Sequence, residues 1–488
     1  MTRPRVRPQS YLLVYTCIAA FLLLIHEPLL QLPYYWDELG QFIPASLDLF
    51  GTGAWIPHST LPNVHPPGVM AYLAAFWHVF GYSIAGTRVA MLLVAAAGAL
   101  LSFLLAIELA RGTPQTPAFA ALALLCVSPL FVAQSMLAQL DMPAMCLTLL
   151  ALLLFLQDRW RDSALACVAL VLVKETGVVA PALFGGWLLM ERRWRDALWY
   201  LLPVIALCGW LFMLKRGTGH WFGNQSFTQY NLYYPLNPMR LGLALLRRLY
   251  FLFIGGGHFI GTIVLVYAWR RMPVFRDRTW RVTWVFLALH TVLVSALGGA
   301  VLERYLLPVL PVVYIAFAIS FGALLPRPRV IALAILMLCL VAANFINPIY
   351  PFPLENNLAF VSFVNLQENA AAAVEGMPGT LATSFPMADA FRRPEFGFVS
   401  QPREVQPMEG FRAGDIARLA GHAPDVMIVF DTTWQKRQTG RSFLSPWLRR
   451  YYGYDPALPP DEIATRLSMR IARRWELHGL SMSLLERR

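Results

Sequence analysis

A succession of long apolar runs constrains this chain more than any other feature. They lie near 11–32, 86–110, 117–133, 143–157, 198–214, 250–269, 282–300, 305–325 and 329–347. Most reach the roughly 17–25 residues that cross a bilayer as a helix. Two shorter runs, 163–173 and 177–190, flank Lys174-Glu175. Hydrocarbon gives the backbone no hydrogen-bond partners, so such segments must satisfy themselves as helices. The pattern predicts an all-α polytopic membrane protein with about eleven transmembrane helices over residues 1–347. Composition agrees: 57% of residues are hydrophobic, 14% are charged, and mean hydropathy is +0.53, outside the range of soluble domains.

The net charge of +12 raises a nucleic-acid reading that its location excludes. Residues 350–488 carry 16 Lys+Arg against 15 Asp+Glu, which leaves 24 against 13 in the first 349 residues. Sixteen of those 24 sit in alternate short loops, at 1–10, 111–116, 158–162, 191–197, 270–281 and 326–329, whereas 33–85 contains no Lys or Arg. By the positive-inside rule the basic loops are cytoplasmic. Arg3, Arg5 and Arg7 ahead of an apolar stretch imitate a secretory signal, but the stretch ends in His26-Glu27-Pro28. It lacks a small-residue cleavage site, so an uncleaved first helix with a cytoplasmic N-terminus is expected. The six cysteines all fall inside apolar runs without metal-ligand spacing and read as small core residues.

This orientation gathers the remaining charges on the opposite, outer face. Asp37-Glu38 follow the first helix in Tyr34-Tyr35-Trp36-Asp37-Glu38, Asp141 sits in a short turn, and Lys174-Glu175 and Glu303-Arg304 mark two further breaks. Carboxylates near hydrocarbon are costly and need a reason. Each motif also has a plainer reading. Asp141 before Met-Pro suits a helix cap, Lys174-Glu175 a self-neutralising pair, and Glu303-Arg304 an interfacial ion pair. His58 and His65 are candidate ligands for a divalent cation with Glu38 or Glu175, although spacing across a loop fixes no geometry. The 69–80 stretch is too short to span and suits the interface. The 215–249 loop is rich in aromatics and amides, including His220, Trp221, Asn224, Gln225, Tyr230, Asn231, Tyr233 and Tyr234. That composition suits sugar rings, and also an ordinary interfacial belt.

From about residue 348 the texture changes to alternating strand and helix signals. Residues 379–385 and 425–431 read as buried strands, and 413–420 and 460–474 as helices. A small extracytoplasmic α/β domain over 348–488 is expected.

The ordered set Asp37-Glu38, His65-Pro66-Pro67-Gly68, Arg88, Asp141-Met142-Pro143, Lys174-Glu175 and Glu303-Arg304-Tyr305-Leu306-Leu307-Pro308 resembles lipid-linked-sugar glycosyltransferases of the GT-C fold, in the protein mannosyltransferase and lipid A aminoarabinose transferase superfamily. The resemblance covers about 1–347 and departs in two ways: no sugar-binding trefoil insert is present, and the acceptor-side loops match no particular subfamily. It implies an inverting, polyprenyl-phosphate-sugar-dependent glycosyltransferase in the inner (plasma) membrane. A glycan, lipid or protein hydroxyl in the periplasm would be the acceptor, and nucleic acid would play no part.

The residues suit that chemistry. Sugar transfer needs a base for the acceptor hydroxyl and cations for the departing phosphate. On this reading Asp37 is the base, and Asp141 a second carboxylate orienting the acceptor or a metal. Lys174, Arg304 and Arg88 hold phosphate, with Glu38, His65, Glu175 and Tyr305 around the substrate. The alternative is a polytopic glycolipid transporter or flippase. Against it, the halves show no inverted repeat, and the charges sit at one face rather than the midplane.

Overall fold

The computed structural model describes residues 8–113, 117–233, 236–348, 352–419, 421, 423–431 and 457–488. Arg3, Arg5, Arg7, Tyr234 and Ala420 lie outside them. Among the described residues six helices are long and apolar enough to cross a bilayer, or seven if one bent pair is a single span. Four shorter apolar helices accompany them, at Gly68–Phe80, Asp141–Leu156, Glu175–Met190 and Leu310–Ala323. The chain is a multi-pass membrane protein.

The first half comprises α1 (Pro8–His26), α2 (Ile43–Thr52), α3 (Gly68–Phe80), α4 (Ile84–Leu109), α5 (Ala118–Val127), α6 (Pro129–Ser135), α7 (Asp141–Leu156), α8 (Trp160–Val173) and α9 (Val179–Met190). α5 and α6 are the bent pair, meeting at 67°. The cause is local: Ser128 precedes Pro129 and takes an extended conformation, as a residue before proline prefers. α8 stops where Lys174 turns extended, and a 3-10 turn over Glu175–Val178 leads into α9. At Gly68 a Cβ would lie 2.5 Å from the Leu172 carbonyl, so glycine lets α3 press against the end of α8.

The chain continues through α10 (Trp194–Ala197), α11 (Leu201–Thr218), α12 (Gln225–Thr228), α13 (Pro238–Phe253), α14 (His258–Trp269), α15 (Arg278–Ala296), α16 (Leu310–Ser320) and α17 (Pro326–Ala343). The segment read as a 215–249 loop is therefore largely helical. The basic loops meet one another at one end. Arg278 donates to Glu191 at 2.7 Å and lies 3.6 Å from Asp158, and Trp280 donates to the Leu109 carbonyl at 2.9 Å.

Beyond α17 come α18 (Ala359–Val374), β1 (Leu381–Ser384), α19 (Met387–Ala390), β2 (Val405–Met408), α20 (Ala413–Ala417), β3 (Val426–Asp431), α21 (Pro460–Arg466), β4 (Met469–Leu477) and β5 (Leu480–Arg487). The sheet order is β2-β1-β3-β5-β4. β1 runs parallel to β2 and β3, and β5 antiparallel to β3 and β4. The unbroken apolar run of β3 suits a strand covered on both faces.

The expected helix over 460–474 is corrected. It ends at Arg466, and 469–477 form an edge strand. Ser468 has a positive φ of 55°, which interrupts helical geometry, and Met469, Ile471, Trp475 and Leu477 then pair along β5. The two-residue turn His478-Gly479 has φ of 48° and 83°, the backbone that a tight hairpin demands. Helical propensity gave way to a partner strand close in sequence.

The sheet unit sits directly on the segment after α1. The Tyr34 N–H donates to the Phe396 carbonyl at 3.3 Å, Tyr82 donates to the Glu395 carbonyl at 2.6 Å, and Tyr35 packs 5.5 Å from Phe360 between ring centroids.

Candidate active site

Asp37 and Glu38 enter a single π-turn, Glu38–Phe42, with Asp37 at its N-terminal end. Their side chains part completely. Glu38 is fully buried and accepts from Arg88, from the Tyr35 N–H at 2.8 Å and from the Ala138 N–H at 2.5 Å. Arg88 is equally buried and also donates to the carbonyls of Met136, Pro33 and Leu32. The pair ties α4 to the segments that follow α1 and α6. Glu38 and Arg88 do not line the cavity described next, so the structure does not bring these two expected site residues to it.

Asp37 opens into a cavity of about 1070 Å³. Asp37, His65, Asp141, Lys174, Glu175, Arg304 and Tyr305 all line it, although they come from widely separated parts of the chain. The charged cluster on its wall gathers around the Arg304 guanidinium, which donates to Asp37, to Gln139 at 2.6 Å and to Glu355 at 3.0 Å, with Asp141 at 3.4 Å from Nε. Asp141 also accepts from Lys174, whose Nζ lies 4.3 Å from the centre of the Tyr305 ring. Among the carboxylates on Arg304, the Asp37 side chain is the most open, at 17% exposure against 3% for Asp141 and 5% for Glu355.

The plainer readings fare unevenly. Asp141 does begin α7, but its carboxylate serves Lys174 and the N-cap position shows no side-chain cap. Lys174 and Glu175 take different direct partners: Lys174 donates to Asp141, and Glu175 takes a hydrogen bond from His65 at 2.9 Å. Glu303 pairs not with Arg304 but with Arg247 of α13 at 2.5 Å, and accepts from Asn356 at 2.8 Å. His58 lies 3.5 Å from Asp48 and its side chain is 61% exposed, while His65 is engaged with Glu175. Among the described residues no cluster of three or more His, Cys, Asp or Glu side chains could hold a metal ion. Of the amides in the 215–249 segment, Asn224 caps α12 by accepting from the Phe227 N–H at 2.7 Å and also donates to the Pro62 carbonyl at 2.6 Å. Asn231 accepts from the Gly299 N–H at 3.1 Å. Both line the cavity, but these contacts fasten its wall.

Glu355 is the residue that sequence reasoning missed. It is 3% exposed and accepts from Gln139 at 3.2 Å as well as from Arg304. Burial pushes its carboxyl up to about 7, against the opposing pull of Arg304. A signal existed: Glu355-Asn356-Asn357 is an acidic and amide cluster directly after the last apolar run and its prolines. Phe385, Asp389 and Arg392, also on the cavity wall, carried none, because only the docking of the sheet unit brings them there.

This architecture defines a GT-C fold, with a membrane helical bundle, a cavity of charged residues at one end and a C-terminal sheet unit over it. The chain superposes on the crystal structure of ArnT from Cupriavidus metallidurans bound to undecaprenyl phosphate with a TM-score of 0.58 and 15% identity, over 98% of each chain. The apo state of the same enzyme gives 0.55 with the same identity and coverage. The archaeal oligosaccharyltransferase AglB from Archaeoglobus fulgidus, in complex with an inhibitory peptide and a dolichol-phosphate, gives 0.49 at 10% identity, covering 86% of this chain and 69% of that one. No family model and no curated protein sequence matches the chain. The fold expected from the ordered motifs is thus the fold observed.

Proposed function

We propose that the protein is a membrane glycosyltransferase that moves a sugar from a polyprenyl-phosphate carrier to an acceptor hydroxyl, with inversion at the anomeric carbon. The observation that carries this reading is the convergence of Asp37, Asp141 and Glu355 on Arg304, beside Lys174, in a cavity whose wall also includes an apolar stretch. The ArnT structure of the same fold holds undecaprenyl phosphate. Leu207 and Leu211 of α11, Val294 of α15 and Leu297 just beyond it line this cavity, a surface suited to a lipid chain.

In the proposed reaction the acceptor oxygen bonds to the anomeric carbon while the carbon–oxygen bond to phosphate breaks, and the electron pair leaves with the phosphate. Asp37, the most open of the carboxylates on Arg304, takes the hydroxyl proton. Arg304 and Lys174 face the charge that grows on the leaving phosphate oxygens. Asp141 holds both cations in place and, when substrate enters, Glu355 yields its share of Arg304. His65 with Glu175 and Tyr305 shape the site around the sugar. Glu38 and Arg88 position Asp37 through the backbone. The active face would be extracytoplasmic, about eleven helices would span the membrane, and 348–488 would form the outer domain.

The test is release of polyprenyl phosphate from synthetic polyprenyl-phosphate sugars by reconstituted protein. Wild type should release it, and Arg304→Lys should lower the rate about 10–100-fold, because a point charge replaces a planar fork. Movement of intact glycolipid across the vesicle wall without phosphate release would overturn the enzyme in favour of a transporter.

A further inference from the structure

We propose that Trp36, Phe385, Asp389 and Arg392 form a saccharide-binding subsite at the rim of the cavity, built jointly by the segment after α1 and by the C-terminal sheet unit. Its role as the acceptor site rests on the transferase reading, but its ligand class does not.

Three observations support it. First, two aromatic rings meet as a corner on the cavity wall, 5.3 Å between centroids and at 80° to each other. Phe385 is 36% exposed although it directly follows the fully buried strand β1. Trp36 is held at a φ of 49°, a conformation that a bulky residue adopts only when its surroundings impose it. Pyranose rings present CH faces that stack on such surfaces, with aromatic contacts adding to the area buried. Second, Asp389 and Arg392 lie beside this corner at 3.0 Å from each other, the Arg392 side chain 57% exposed. A carboxylate that accepts next to a guanidinium that donates suits hydroxyl groups, which do both. Third, the corner abuts the backbone that carries Asp37. A Cβ at Gly40 would fall 2.6 Å from Phe385 and 3.5 Å from Asp389, so glycine alone permits this approach. A ring stacked here lies against the turn that carries the proposed base.

A peptide fits less well. β1, which delivers Phe385, is paired on both sides by β2 and β3, so it offers no free edge to which an extended chain could add.

Saturation-transfer NMR on the full chain in lipid nanodiscs tests the subsite with defined probes: methyl β-glucoside, methyl β-galactoside, N-acetylglucosamine and a blocked Ser-Thr peptide. Ring CH protons of at least one saccharide should receive saturation from wild type. Phe385→Leu should weaken that binding about 5–10-fold and Phe385→Tyr should retain it. Arg392→Ala, an exposed change, provides a second variant should Phe385→Leu fail to fold, with an expected loss of about threefold. Arg304→Lys should leave saccharide binding intact. Saccharide binding that depends on Phe385 in a protein that never releases lipid phosphate would uphold the subsite and sink the transferase. Transfer without saccharide binding, binding indifferent to both Phe385→Leu and Arg392→Ala, or binding of the peptide alone would overturn the subsite and spare the transferase.

Discussion

Asp37 and Glu38 are neighbours in the chain and opposites in the structure. Glu38 faces one guanidinium in a place closed to solvent, with backbone N–H groups completing its hydrogen bonds. Asp37 shares its guanidinium with Asp141, Gln139 and Glu355 at the wall of a large cavity. A closed pair whose carboxylate answers to a single guanidinium resists rearrangement and serves as scaffold. A crowded guanidinium, with more acceptors than it can serve equally, can exchange one of them for a ligand. Charge alone does not separate the two regions; burial and the number of competing partners do.

The largest effect should come from breaking the closed pair. Arg88→Ala leaves Glu38 buried without its cation and should cost about 3–5 kcal/mol of stability, read as a fall in melting temperature and in folded yield. If Arg88→Ala instead folds normally and loses only donor affinity, Arg88 belongs with the phosphate-holding cations and the contrast fails. Next, Asp37→Asn should preserve folding and lower sugar transfer by roughly 100-fold or more, because size is kept and proton acceptance is lost. Near-normal transfer by purified Asp37→Asn would move the base to Asp141 or Glu355.

The smallest effect sharpens the account of the crowded side. Glu355 has a folded-state pKa near 7, above its usual value, so the protonated form is the one that folding favours. Its contribution to stability is fully present below the unfolded pKa and is lost as pH rises through about 7. The same ionisation sets a carboxylate against an incoming phosphodiester. Donor KM should therefore rise a few-fold as pH increases from about 6 to about 8 in wild type, and Glu355→Gln should flatten that rise. An identical slope in Glu355→Gln would show that Glu355 does not share Arg304 with the donor.

The helical bundle was legible because hydrocarbon permits so few backbone solutions, and the meeting of Asp37, His65, Asp141, Lys174, Glu175, Arg304 and Tyr305 followed from placing alternate loops on one face. What the chain did not disclose was which member of an adjacent pair would turn inward. Asp37 and Glu38 carry the same charge in the same turn, and only the arrival of Arg88 from α4 and Ala138 from beyond α6 distinguishes them. The 460–474 segment misled for a similar reason: its amphipathic spacing fits a helix, and β5 decides otherwise. Phe385 and Asp389 depend on how the sheet unit docks, a contact with no local sequence pattern.

The crowding around Arg304 bears on how a turnover would end. Asp37, Asp141, Glu175, Glu355 and Asp389 line the cavity against Lys174, Arg304 and Arg392, so negative groups outnumber permanent cations. A sugar phosphodiester brings one negative charge into this chamber, whereas the monoester left after transfer tends towards two. Under the proposed reaction the product would therefore meet more repulsion than the substrate did, with Glu355 and Asp37 placed to reclaim the guanidinium. Such a chamber would discharge the spent carrier and reset itself, and its acidity would work against inhibition by its own product.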